Sequence, residues 1–124
     1  MSLAFREPAQ DSPRPAHGPF RLEAHASGIA LVWFDDPARR VNLLDSEALA
    51  SLKGVLDSLR ERSDRSFPRA LVLLSGKDEQ FIAGADVAEF DRLASPAEAE
   101  AKAREAQLLF EEFSLLPYPT VAGI

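Results

Sequence analysis

Phe20-Arg21-Leu22-Glu23-Ala24-His25 alternates apolar and polar side chains, the period of a strand with one face buried. Ser27-Gly28 is a turn signal, and the near-continuous apolar run from Ile29 to Phe34 predicts a second strand, antiparallel to the first. After a loop through Pro37, the period changes. Leu49, Leu52, Leu56 and Leu59 recur at spacings of three and four with Val55 beside them, while Lys53, Asp57, Arg60 and Glu61 fall on the opposite face. Asp45 stands where an N-cap would, and Leu44 with Leu49 has the spacing of a hydrophobic staple. This predicts a helix ending near Ser63, before Phe67-Pro68. Ala70 to Leu74 does not alternate and predicts a strand buried on both faces, as in a parallel pair covered by helices. Ser95-Pro96-Ala97-Glu98 is a capping box with proline at the first helical position. The helix it opens has Ala99, Ala103, Ala106, Phe110 and Phe113 as its expected apolar stripe. Glu111 and Glu112 point about 100° apart on such a helix, so they are a solvated pair rather than facing carboxylates. Pro117-Tyr118-Pro119 ends the helix, and Thr120 to Ile124 reads as the opening of another buried strand.

The pattern is strand–strand–helix–strand, then a junction and a second helix. It predicts an α/β class built from repeated ββα units. The last strand has no turn after it, so the expectation is an incomplete unit, a fragment of a larger domain. Residues 1–19, with Pro8, Pro13 and Pro15 among polar neighbours, are expected to form a disordered arm, leaving 20–124 as the folded part.

The junction Phe81-Ile82-Ala83-Gly84-Ala85-Asp86-Val87 carries the candidate chemistry. It joins the apolar run ending at Leu74 to a short helix through Val87-Ala88-Glu89-Phe90. Asp86 is placed to cap that helix. Side chains this small let a ligand oxygen approach the backbone, which is how half of an oxyanion hole is made. The alternative is close packing behind an ordinary cap. Arg39-Arg40 likewise has two readings, a solvated loop pair or a fork of donors for phosphate oxygens.

Composition narrows the field. The 124 residues have 46% hydrophobic content, enough for a small core, and a net charge of −6, which argues against non-specific nucleic-acid binding or an anionic membrane surface. With no cysteine there is no disulfide or thiolate metal site, and the two histidines, His17 and His25, are too isolated to suggest a metal. No apolar run approaches the roughly 20 residues that span a bilayer, and no signal peptide is evident, so the expected location is cytoplasmic.

Three stretches resemble the crotonase, or enoyl-CoA hydratase/isomerase, superfamily in order: Arg40-Val41-Asn42-Leu43-Leu44, Phe81 through Asp86, and Leu116 through Ile124. Ser-Gly-Lys ahead of FIAGAD, together with VNLLDSE, looks most like the hydratase domain of multifunctional fatty-acid oxidation proteins. The resemblance implies syn hydration of a 2-enoyl-CoA, with the thioester oxygen held by backbone N–H groups. It makes the Ala85 amide one oxyanion donor, Ala83, Gly84 and Asp86 the wall around thioester and pantetheine, and Arg40 and Val41 neighbours of the nucleotide end of coenzyme A. It implies no tightly bound cofactor, coenzyme A entering as part of the substrate, and NAD only with a downstream dehydrogenase domain. The implied partners are an acyl-CoA thioester and a homo-oligomer or multifunctional complex. The family's two glutamates and second donor lie in regions with no counterpart in this sequence, so the isolated chain is expected to be inactive. Other crotonase branches (isomerase, decarboxylase, thioesterase, dehalogenase) and a non-catalytic acyl-CoA-binding or interaction module are the competing readings.

Overall fold

The computed structural model describes residues 18–62 and 67–124. Strands β1 (Phe20–Ala24) and β2 (Ile29–Phe34) form the expected antiparallel hairpin, pairing Phe20 with Phe34 and Ala24 with Ala30. A two-residue strand, β3 (Leu43–Leu44), leads into helix α1 (Ser46–Arg62). Then come β4 (Ala70–Ser75), a second two-residue strand β5 (Gly84–Ala85), helix α2 (Val87–Phe90), helix α3 (Pro96–Ser114) and β6 (Thr120–Gly123). The main sheet runs β1-β2-β4-β6, with β4 parallel to both neighbours. The short strands β3 and β5 make a separate parallel ladder, Leu43 opposite Gly84 and Leu44 opposite Ala85.

Period explains the packing. Leu49, Leu52, Val55, Leu56 and Leu59 of α1 are buried together against Phe20, Leu22, Ala30, Val32, Phe34 and Leu71 on one face of the sheet. The rings of Phe20 and Phe34 stack with centroids 4.2 Å apart. α1 begins as its cap residue predicts, because Asp45 Oδ1 accepts the Ala48 N–H at 2.8 Å. α3 opens on its capping box: Ser95 Oγ accepts the Glu98 N–H, and the Glu98 carboxylate reaches back to the Ala94 N–H at 2.9 Å.

Five details differ from the sequence expectation, the first being that β6, expected as a buried strand, is exposed at Val121, Ala122 and Gly123. Both two-residue strands escape a pattern search, because a strand that short has no period. In β4 only Leu71 is buried, and Val72, Leu73 and Leu74 are half-buried, since the described helices cover one face of the sheet. Pro19, assigned to the arm, is fully buried, and its carbonyl accepts the Asp35 N–H, so packing extends further towards the N-terminus; residues 1–17 lie outside the described residues. The stripe of α3 is turned by about one position from the expected one. Ala106, Leu109 and Phe113 face the core, whereas Phe110 is 39% exposed. Ala103, Ala106 and Phe110 share a helical phase with a second, overlapping stripe, and contact with α1 selects between them.

This register has a measurable consequence. Leu109→Ala should cost about 2–4 kcal/mol in urea unfolding, and Phe110→Ala less than about 1 kcal/mol. Equal losses would mean that α3 sits in the expected register after all.

Candidate functional site

Asn42 is fully buried in the segment that becomes β3. Its Nδ2 donates to the Phe34 carbonyl at 2.8 Å and to the Phe81 carbonyl at 3.0 Å, with Ser75 Oγ also within 3.2 Å. Its Oδ1 accepts the Asp36 N–H at 3.1 Å. Its own backbone N–H donates to Gln80 Oε1, and its carbonyl accepts the Ala83 N–H at 2.8 Å. One side chain thus ties the end of β2, the loop after it and the approach to β5.

Around this hub the loop after β2 is pinned from the other side. Gly76 brings its backbone so near Asp35 that a Cβ there would lie 2.5 Å from the aspartate side chain. Its N–H donates to the Phe34 carbonyl. Next to it, Lys77 Nζ donates to the carbonyls of Asp36 and Arg39 at 2.6 and 2.7 Å and pairs with Asp35 at 2.8 Å. This ammonium is a fastener of the loop, with its donors taken up by protein oxygens.

The two short strands end alike. Each is followed by an aspartate that caps a helix: Asp45 begins α1, and Asp86 begins α2 by accepting the Ala88 N–H at 3.0 Å. The other oxygen of each carboxylate meets the same Arg39 Nη2, at 3.0 Å for Asp45 and 3.1 Å for Asp86. Nε of Arg39 lies 3.5 Å from Asp36. Glu89 of α2 accepts from the N–H and hydroxyl of Ser46 at the start of α1, and Lys102 of α3 donates to that hydroxyl at 3.2 Å. Carboxylate oxygens of Asp45, Asp86 and Glu89 come within 4.8 Å of one another, a repulsion offset by these cations and donors.

Charge follows from the contacts. The Arg39 hydrogen bond, helped by the Ala88 N–H, holds the Asp86 carboxyl below the usual carboxylate range despite burial acting the other way. Ser46, first through its hydroxyl and then through its N–H, does the same for Glu89, with Lys102 adding to it. Asp86 in turn raises the pKa of Arg39.

Behind the ladder lies a cavity of about 150 Å³. Leu44, Leu49, Ala85, Leu93, Ala103 and Ala106 give it aliphatic walls. Asp45, Asp86, Glu89 and Lys102 also border it, but they are engaged with partners as described above.

The candidate residues fall in two groups. Ala83, Gly84, Ala85 and Asp86 are contiguous at the ladder, with Ala85 exposed at the cavity and Gly84 at φ +133°, a conformation that favours glycine. Arg40 and Val41 lead into Asn42 and are exposed; Arg40 makes no ion pair among the described residues. The arginine pair therefore divides: Arg39 is committed to carboxylates and only Arg40 is left for an anion. Asn42, Ser46, Glu89 and Lys102 were not singled out from the sequence, and Arg39 was weighed there only as a phosphate contact or a solvated residue. A lone asparagine inside the apolar run Val41-Asn42-Leu43-Leu44 was the available signal for the first.

No family model matches the chain. Solved structures do. AtuE of Pseudomonas aeruginosa is 30% identical with a TM-score of 0.68, over 84% of this chain and 39% of that one. An enoyl-CoA hydratase/carnitine racemase of Magnetospirillum magneticum is 25% identical with a TM-score of 0.72, over 86% of this chain and 39% of that one. The enoyl-CoA hydratase of Mycobacterium smegmatis superposes with a TM-score of 0.72 at 24% identity, over 86% of this chain and 39% of that one. The chain has the crotonase fold. It spans about two-fifths of the length of these crotonase-fold proteins. Among the described residues no helix is long and apolar enough to cross a membrane.

Two outcomes are expected. Asn42→Ala leaves the Phe81 carbonyl and the Asp36 N–H without their partner and should cost about 2–4 kcal/mol in urea unfolding. Asp86 and Glu89 contribute stability above their unfolded pKa values, about 4, and lose it as pH falls through their lowered folded values. The urea midpoint should therefore drop between about pH 5 and pH 3, and substituting glutamine at Glu89 should flatten that drop.

Proposed function

We propose that this chain is the acyl-CoA-binding part of an enoyl-CoA hydratase/isomerase of fatty-acid β-oxidation. The observation that carries the reading is the aliphatic cavity that opens beside Ala85. A cavity of about 150 Å³ with apolar walls is large enough for benzene, so it suits a short acyl group of about six carbons or fewer. The bordering charges satisfy one another, which keeps the walls effectively apolar. An acyl group seated there brings its thioester carbonyl towards the backbone at Ala83–Asp86, where the Ala85 N–H is the proposed donor to the developing enolate oxygen. Ala83 and Gly84 allow close approach, and Arg40, the uncommitted arginine, is the proposed contact for a coenzyme A phosphate, with Val41 beside it.

The solved structures of similar fold support this setting, since several are enoyl-CoA hydratases. The family's hydration chemistry also uses two glutamates and a second backbone donor, for which this sequence offers no matching motif. Binding without turnover is therefore the proposed behaviour of the 124 residues. Cytoplasmic location and assembly as a homo-oligomer or within a multifunctional complex belong to the same proposal.

Calorimetric titration tests it. Butyryl-CoA should bind saturably and at least tenfold more tightly than coenzyme A. Ala106→Phe, which fills the cavity, should remove that preference. Crotonyl-CoA should bind without loss of its enoyl absorbance. Equal affinity for butyryl-CoA and coenzyme A would rule out the cavity as an acyl site.

A further inference from the structure

We infer that Arg39 is a positioning residue for the proposed acyl-binding loop, a strap that fixes the end of β5 against the end of β3. The inference rests on the acyl-CoA reading for what the loop does, and on geometry alone for how the loop is held.

The ladder between β3 and β5 is two residues long on each side, too short to hold itself together in water. Gly84 has little packed around it, with nothing within 4 Å of where a Cβ would be, and its positive φ gives the loop a natural pivot. Something else has to fix Ala85. The next residue supplies it. Asp86 is bound through one oxygen to α2 and through the other to Arg39 Nη2. The same nitrogen holds Asp45, which follows the partner strand and caps α1. One guanidinium group therefore joins the two strand ends at matched positions of the ladder.

A strap works only if its own base is fixed. The Arg39 carbonyl accepts from Lys77 Nζ at 2.7 Å, its N–H donates to the Asp36 carbonyl, and its Nε faces the Asp36 carboxylate. Without the guanidinium, Asp45 and Asp86 would face each other with like charge, and the pivot at Gly84 would let β5 swing away. The amide of Ala85 lies one residue from that break. Backbone donors act on a developing oxyanion only when held in place, so the loss falls on the carbonyl contact and spares the rest of the ligand.

The test uses the full 124-residue chain with Arg39→Met and Arg39→Lys. Two readouts are needed: the carbonyl stretch of bound butyryl-CoA labelled with ¹³C at the thioester, and hydrogen exchange at Gly84 and Asp86, on either side of the Ala85 donor, without ligand. In the unmodified chain the carbonyl band should shift to lower frequency on binding. In Arg39→Met that shift should vanish, butyryl-CoA affinity should fall at least tenfold, affinity for coenzyme A should stay within twofold, and exchange at the Gly84 and Asp86 amides should rise at least tenfold. Arg39→Lys should recover part of each. A role in stability alone would lower the melting temperature and leave the carbonyl band where it was. Unchanged band and unchanged exchange in Arg39→Met overturn the inference. If Arg39→Met does not fold, Asp45→Asn, which cuts one arm of the strap, should give a smaller change in the same direction, and no change there overturns it too. Failure of the unmodified chain to bind butyryl-CoA would sink the acyl-CoA reading separately, and the ligand-free exchange would still decide whether Arg39 holds the loop.

Discussion

The side-chain amide of Asn42 is the contact on which the rest of the molecule depends. It satisfies backbone groups from the end of β2, the turn after it, and the run into β5. A buried amide is costly unless its donors and acceptor are used, and here they are. The cost of leaving them unpaired turns a polar residue in a core into a device that permits one arrangement and penalises others. The hydrophobic layer of α1 on the sheet stabilises the fold; Asn42 decides how the loops at its edge are set.

A second layer of control is electrostatic. Arg39 holds the carboxylates that follow β3 and β5, Lys77 fastens the loop after β2, and Lys102 reaches from α3 to the Ser46 hydroxyl. The chain is acidic overall, yet Arg39 and Lys102 stand where carboxylates converge. Partly buried pairs of this kind are screened less by salt than surface pairs. They shape the cavity by drawing charge out of it, so that an acidic neighbourhood can still present aliphatic walls.

Much of this was legible in the sequence, and the reasons differ by element. The hairpin, α1 and the capping box of α3 announced themselves through period and caps, which are local properties. The small residues at Ala83–Ala85 and the cap at Asp86 could be found because backbone approach demands small side chains. The two-residue strands could not be found, since pairing defines them and pairing is not local. The face of α3 was ambiguous because Ala103 and Ala106 allow two overlapping stripes. Arg39 and Arg40 look alike in a sequence, and only the position of Asp86, far along the chain, separates them. Asn42 was visible as an oddity, but its partners lie in segments that only the fold brings near.

The β3–β5 ladder joins residues that are distant in sequence, with Asn42 and Phe81 separated by 39 positions. Closing so long a loop costs chain entropy before a two-strand ladder can return anything. The hairpin and α1, built from near neighbours, face no such delay. A chain wired this way is expected to assemble its ligand-facing loop last, on a scaffold already formed. Heating or denaturant should open that loop first, so recognition can fail while most of the protein is still folded.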